Sequence, residues 1–227
     1  MPSKKNLNHL GIILDGNRRW AREKGMPKFV GHKIGLEKIK DVANWCNERK
    51  IKILTLFVFS TENWNREKQE INYLMRLIQK AIADNLEELH KKGIRIRVIG
   101  QKDRLPKFVQ ESIKKAEDLT EKNLGMVLNF ALSYGGRAEI VSAIKNIVEK
   151  KIPLDKINEE TIKENLWTSD VDLVIRTGKE MRISNFLIWQ AAYSELYFLP
   201  KYWPDFSEKD LDNAISEYNL RQRRFGK

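Results

Sequence analysis

Three groups of side chains in this sequence have the types and spacing for phosphate chemistry. The first, Asp15-Gly16-Asn17-Arg18-Arg19-Trp20, stands directly behind the apolar run Gly11-Ile12-Ile13-Leu14. A carboxylate at a strand end can take a divalent cation, a glycine lets backbone approach closely, and two guanidinium groups take phosphate oxygens, so the group suits a magnesium diphosphate. The second, Ser60-Thr61-Glu62-Asn63-Trp64-Asn65-Arg66, follows another apolar run and gathers hydroxyl, amide, aromatic and guanidinium groups. The third is Arg176-Thr177-Gly178 with Arg182-Ile183-Ser184-Asn185, ahead of an apolar, helix-like stretch ending at Glu195. Two arginines and a serine can grip a diphosphate through forked hydrogen bonds, and Glu195 offers a second hard oxygen ligand.

Each group alone also has a plain structural reading. Asp15 can be an N-cap beside solvated arginines, Ser60 can cap a helix, and Arg176 can pair with Asp170 or Asp172 while Glu195 lies exposed. Three such groups at three strand ends argue together for one anion site. The sequence has no G-x-x-x-x-G-K-[ST], no G-x-G-x-x-G after a strand, no H-E-x-x-H and no D-D-x-x-D. Ordinary nucleotide cradles and zinc hydrolases therefore lose weight.

The elements that must position these groups alternate in type. Leu10 to Leu14, Ile53 to Phe59, Ile94 to Ile99, Met126 to Leu132 and Val171 to Ile175 read as buried strands, with helical patterns over 34–49, 67–91, 105–122, 136–150 and 161–167. That rhythm predicts a single α/β domain with a mostly parallel sheet, whose ligands sit beyond the carboxyl ends of the strands. Ile71, Leu74, Met75, Ile78, Ile82, Leu86 and Leu89 recur at helical spacing. They are either ordinary core or one wall of a hydrocarbon tunnel.

Composition narrows the partners. Lys and Arg number 42 against 31 Asp and Glu, a formal charge of +11 over 227 residues, which points to an anionic partner. The single Cys46 and three histidines give no disulfide framework and no zinc site. No apolar run approaches the roughly 18 residues of a spanning helix, and the expected location is the cytoplasm. A nucleic-acid-binding protein is the non-enzymatic rival, but Asp15, Glu62 and Glu195 would face its polyanion, so no nucleic-acid partner is expected.

Taken together, His9 to Trp20, Gly31-His32-Lys33, Thr55 to Arg66, Tyr134-Gly135-Gly136-Arg137 and Asp172 to Phe198 resemble the cis-prenyltransferases, in particular the bacterial undecaprenyl diphosphate synthases. The similarity runs from about residue 9 to Arg223-Arg224-Phe225-Gly226. The resemblance implies a homodimer, a parallel sheet of about six strands, and a hydrophobic tunnel leading from a diphosphate site. It implies condensation of isopentenyl diphosphate units onto farnesyl diphosphate, with Mg2+, to a long polyprenyl diphosphate serving cell-wall synthesis. By the same resemblance Asp15 and Asn63 are catalytic, and Asp15 and Glu195 bind the metal. Gly16, Asn17, Arg18 and Arg19 hold the allylic diphosphate, while Arg176, Arg182, Ile183 and Ser184 belong to the isopentenyl site. Trp20, Lys28, His32, Ser60, Thr61, Glu62, Trp64 and Arg66 match further substrate contacts. Lys28, Lys179 and Met181 depart from the family pattern, standing where arginine, glycine and histidine are common. The terminal Arg224-Phe225-Gly226 matches a motif that reaches the partner subunit. The surplus positive charge suggests peripheral contact with an anionic inner membrane face.

Overall fold

The structure is a computed structural model and describes residues 6–221. The terminal Arg224-Phe225-Gly226 motif lies outside the described residues. The strands are β1 His9–Ile13, β2 Ile53–Ser60, β3 Arg95–Ile99, β4 Val127–Tyr134, β5 Leu173–Arg176 and β6 Glu195–Phe198. The helices are α1 Asn17–Glu23, α2 Lys28–Glu48, α3 Lys68–Lys91, α4 Lys107–Thr120, α5 Gly136–Glu149, α6 Glu159–Glu164 and α7 Glu208–Leu220. All six strands are parallel in the order β3-β4-β2-β1-β5-β6.

Parallel strands covered on both faces read as near-continuous apolar runs, which is why the five strands read from sequence reappear within two residues of their expected ends. Side chains alternate across the sheet. Leu10 and Ile12 of β1 join one core with Leu54, Leu56, Ile39, Met75 and Ile78. Ile13 joins the opposite core with Phe57, Val174, Phe186 and Leu187. Three expectations need correcting. The apolar stretch before Glu195 forms turns rather than a helix, and β6 begins at Glu195 itself. The helix that follows Asp15, the short α1, has Gly16 rather than Asp15 as its N-cap. The long helix α7, capped by Ser207 and Asp210 reciprocally, was not foreseen.

The helical stripe proposed as tunnel wall packs against the sheet. The stripe on α3 is core: Leu74, Met75, Ile78, Ile82, Leu86 and Leu89 are buried. Between α2, α3 and the sheet lies an apolar hollow of about 30 Å³, lined by residues including Ile39, Val58, Ile78, Ala81 and Leu89.

Candidate active site

Asp15 follows the central strand β1, between β2 and β5, and its backbone is fixed before its side chain is used. Its amide donates to Ile13 O at 3.0 Å and to Thr177 Oγ1 at 3.1 Å, while the Thr177 hydroxyl donates to Asp15 O at 2.8 Å. Two glycines make this possible. Gly16 has φ 104°, and a Cβ there would lie 2.4 Å from the Tyr202 ring; Gly178 has φ 94°, and its Cβ would lie 2.9 Å from Asp15 Cγ. Neither site accepts a side chain without strain.

The Asp15 carboxylate then anchors alternating charges. Arg176 Nη2 donates to Oδ2 at 2.9 Å and Arg19 Nη2 approaches Oδ1 at 3.0 Å. Arg19 Nη1 donates to Glu180 Oε1 at 2.8 Å, and Arg182 Nη1 donates to Glu180 Oε2 at 2.7 Å. Arg176 is buried, and its Nη1 donates to Ser184 Oγ at 2.8 Å and to the Arg182 carbonyl. Its buried Nε has no acceptor among the described residues. An unsatisfied buried donor is costly in isolation.

A second carboxylate, missed by the sequence reading, organises the other cations. Glu70 is only 1% exposed and lies 3.0 Å from Lys28 Nζ, 3.2 Å from Arg66 Nη1, 3.3 Å from His32 Nε2 and 3.9 Å from Arg18 Nη1. Burial works against its charge, yet the Lys28 bond with Arg18 and Arg66 holds the carboxyl below its usual range. Burial, reinforced by Arg66, lowers His32 to about 4, so its imidazole is neutral near pH 7. The signal for Glu70 was present in the chain as the i,i+4 pair Arg66–Glu70.

These groups border two adjoining depressions. One, of about 780 Å³, is lined by Gly16, Arg18, Arg22, Met26 and Lys28 among others. The other, of about 510 Å³, is lined by Ser60, Asn63, Arg176, Glu180, Arg182 and Ser184 among others. They share Leu14, Asp15, Asn17, Arg19, His32 and Arg66. Asn63 Oδ1 accepts from the Ser60 amide at 3.1 Å, which fixes the amide side chain at the second depression.

Other expected contacts lie elsewhere. Trp20 donates Nε1 to Asp205 at 2.7 Å and packs with Ala21 and Tyr202, and Trp64 donates Nε1 to Ser133 at 2.9 Å beneath Phe59. Both indoles are held by partners within the chain, and neither lines the two depressions. Ile183 packs into the second core, Glu62 accepts from Asn185 at 3.2 Å, and Thr61 sits against Gly135; none of the three lines either depression.

Glu195 lies apart from Asp15 within the chain. It pairs in register with Leu173, at the amino end of β5, whereas Asp15 lies past the carboxyl end of β1. Leu10, level with Glu195 through Leu173, is about 10 Å of strand from Ile13, and Asp15 lies beyond that; Glu195 Oε2 accepts from Arg221 Nη1 at 3.2 Å. Within one chain Asp15 and Glu195 share no metal, and among the described residues no group of three His, Cys, Asp or Glu could hold one. The donor set still fits Mg2+ in another way. That ion takes one or two carboxylates with phosphate oxygens and water, and Asp15 is a single carboxylate, 27% exposed, where the depressions meet.

The fold and the paired depressions define a phosphate-handling α/β protein, and comparison with known proteins places it. A family model describing undecaprenyl diphosphate synthases matches residues 13–226, and the chain belongs to this cis-prenyltransferase family. It is 46% identical to an isoprenyl transferase of Bacillus cereus, covering 96% of this chain and 87% of that one. It is 47% identical to one from Streptococcus pneumoniae, covering 96% and 91%. Among solved structures, lavandulyl diphosphate synthase from Lavandula x intermedia, in complex with dimethylallyl diphosphate, has a TM-score of 0.93 at 39% identity over 97% of this chain and 98% of that one. A probable undecaprenyl diphosphate synthase from Campylobacter jejuni has a TM-score of 0.85 at 37% identity over 98% and 100%.

Proposed function

We propose that this prenyltransferase joins isopentenyl diphosphate units to farnesyl diphosphate, as a homodimer and with Mg2+, to give a long cis-polyprenyl diphosphate of the undecaprenyl type used in cell-wall synthesis. The observation that carries the reading is the shared rim: two cation-lined depressions meet at one carboxylate. Arg18, Arg19 and Lys28 take the allylic diphosphate in the larger one. Arg176, Arg182 and Ser184 take the isopentenyl diphosphate in the other, where the open Nε of Arg176 finds its acceptor.

Asp15 would hold Mg2+, which when bound would supply charge neutralisation for a diphosphate. The chain's own groups do the rest. The allylic carbon–oxygen bond breaks, its electron pair leaving with the diphosphate into the arginines. The isopentenyl double bond forms the new carbon–carbon bond to that carbon, and a proton passes from the adjacent carbon to water or a diphosphate oxygen, which restores a double bond in the cis form. Holding both substrates on one rim replaces a bimolecular encounter with a positioned one. Neutral His32 serves as a hydrogen-bond donor or acceptor at the rim. Asn63 orients groups near the proton that leaves, since an amide is too weak a base to take it unaided.

A second reading, a shorter product, is favoured by the hollow of about 30 Å³. One assay tests both: radiolabelled isopentenyl diphosphate with farnesyl diphosphate and Mg2+, products resolved by length. Long products support the proposal, products stopping after one or two additions support the second reading, and no condensation refutes both. Asp15→Asn should keep the fold and lose about 10²–10³ in kcat. A near-normal rate in that variant would remove Asp15 from the chemistry.

A further inference from the structure

The amino edge of the sheet, opposite the two depressions, carries three loops fastened side by side. Val127 N donates to Lys52 O at 2.8 Å, Gly125 N to Gly93 O at 3.0 Å, and Asn123 Nδ2 to Ile94 O at 2.7 Å. These bonds bring the loops after α2, α3 and α4 together. They expose Lys50, Lys52, Lys91, Lys92 and Lys122. Lys92 pairs with Glu88 at 2.9 Å, whereas the other four are in no ion pair among the described residues. Glu121 is the acid within these loops, and Glu48, Glu87 and Asp118 are exposed acids in the last turns of the helices that lead into them, with half-exposed Glu88.

Among these lysines stands Leu124, which is 99% exposed. Lysines near helix C-termini are accounted for by the helix dipole. A leucine held almost wholly in water between Asn123 and Gly125 is not. The apolar hollow runs towards the same edge: its lining passes from Val58 and Ile78 to Leu89 and to Ile96, near the start of β3.

We infer that this edge docks on an anionic bilayer, with Leu124 inserted among the headgroups and the lysines set against lipid phosphates. A basic rim around an inserted apolar side chain matches the two components of peripheral binding, apolar burial and attraction to anionic lipid. Each lysine near such a surface is worth about fivefold in affinity at low salt, and burying the leucine side chain is worth at least about tenfold. The contact needs no substrate, so it stands or falls separately from the reaction proposed above.

The experiment is sedimentation of the full-length protein with vesicles of neutral phosphatidylcholine, or of the same lipid with about one third phosphatidylglycerol, over a salt series. Wild type should bind the anionic vesicles and release at high salt. Lys52→Gln/Lys122→Gln should bind about 25-fold more weakly, and Leu124→Ser about tenfold more weakly, both with unchanged turnover of water-soluble substrates. The control Lys115→Gln/Lys145→Gln removes equal charge from exposed positions on α4 and α5 and should bind within about threefold of wild type. Equal binding to neutral vesicles, no binding at all, or an equal loss in the control pair would each overturn the inference.

Discussion

Replacing Glu70 with Gln removes one buried charge on which four side chains converge. The variant keeps the shape and one acceptor, but its new amide group faces Lys28 or Arg66, both donors. Breaking a buried ion pair by removing one partner costs about 3–5 kcal/mol. Here Lys28, Arg66 and Arg18 are 29%, 27% and 54% exposed, so they can turn to water, and about 2 kcal/mol is the fair expectation after screening. For a chain of this length that lowers Tm by about 4–8 °C. The sign with pH follows from the depressed Glu70 carboxyl: its contribution is complete above its ordinary value of 4.5 and is lost as pH falls through the lower folded value. The Tm gap between variant and wild type should therefore close in acid. Kinetically, KM for the allylic diphosphate should rise about tenfold, because Arg18, Lys28 and Arg66 lose their common anchor, a change of about 1.4 kcal/mol. KM for isopentenyl diphosphate should stay within about twofold, since Arg176 and Arg182 are braced by Asp15 and Glu180. Thermal melts at several pH values with two-substrate kinetics give all three readings. An unchanged Tm, or equal rises in both KM values, would refute the account of Glu70.

Gly178→Ala should cut kcat at least tenfold and cost about 1–3 kcal/mol, because positive φ and the contact with Asp15 displace the carboxylate; chemical unfolding and steady-state rates check this. Ala81→Leu fills the hollow between α2 and α3 and should shorten the product ladder without altering the first condensation, read by chromatography of labelled products. Stability should fall as pH drops from 6.5 towards 4, because burial lowers both His9 and His32 from 6.5 to about 4. Each neutral histidine contributes roughly 3 kcal/mol that is present above the unfolded value and lost on approach to the folded one. Urea melts of wild type and His9→Asn should show the shallower pH slope in the variant.

Five strands were legible because each is buried on both faces and so reads as an unbroken apolar run, and the three polar groups behind β1, β2 and β5 were legible as strand-end chemistry. β6 was not, since its four residues Glu195–Phe198 follow an apolar stretch that carries no turn signal. The capping residues Ser207 and Asp210 announce α7, a local signal that the motif-centred reading passed over. Glu70 escaped because it sits beside the apolar stripe of α3, and only the fold shows three cations and a neutral histidine converging on it from α1, α2 and the loop before α3. Trp20 and Trp64 were placed by resemblance with the substrate; only the fold shows that each indole N–H already has a partner, in Asp205 and Ser133.

The line of alternating charge from Arg176 through Asp15, Arg19 and Glu180 to Arg182 has a further consequence. In the free protein the acids act as surrogate anions, keeping the guanidinium groups spaced and oriented before any diphosphate arrives. Capture is then an exchange of one counter-ion for another rather than the filling of a naked positive hole. The electrostatic gain is only the difference between the two partners, so affinity at this rim should respond to added electrolyte far less than the chain's overall charge suggests. What the surrogates contribute is readiness: the guest meets a receptor already in shape.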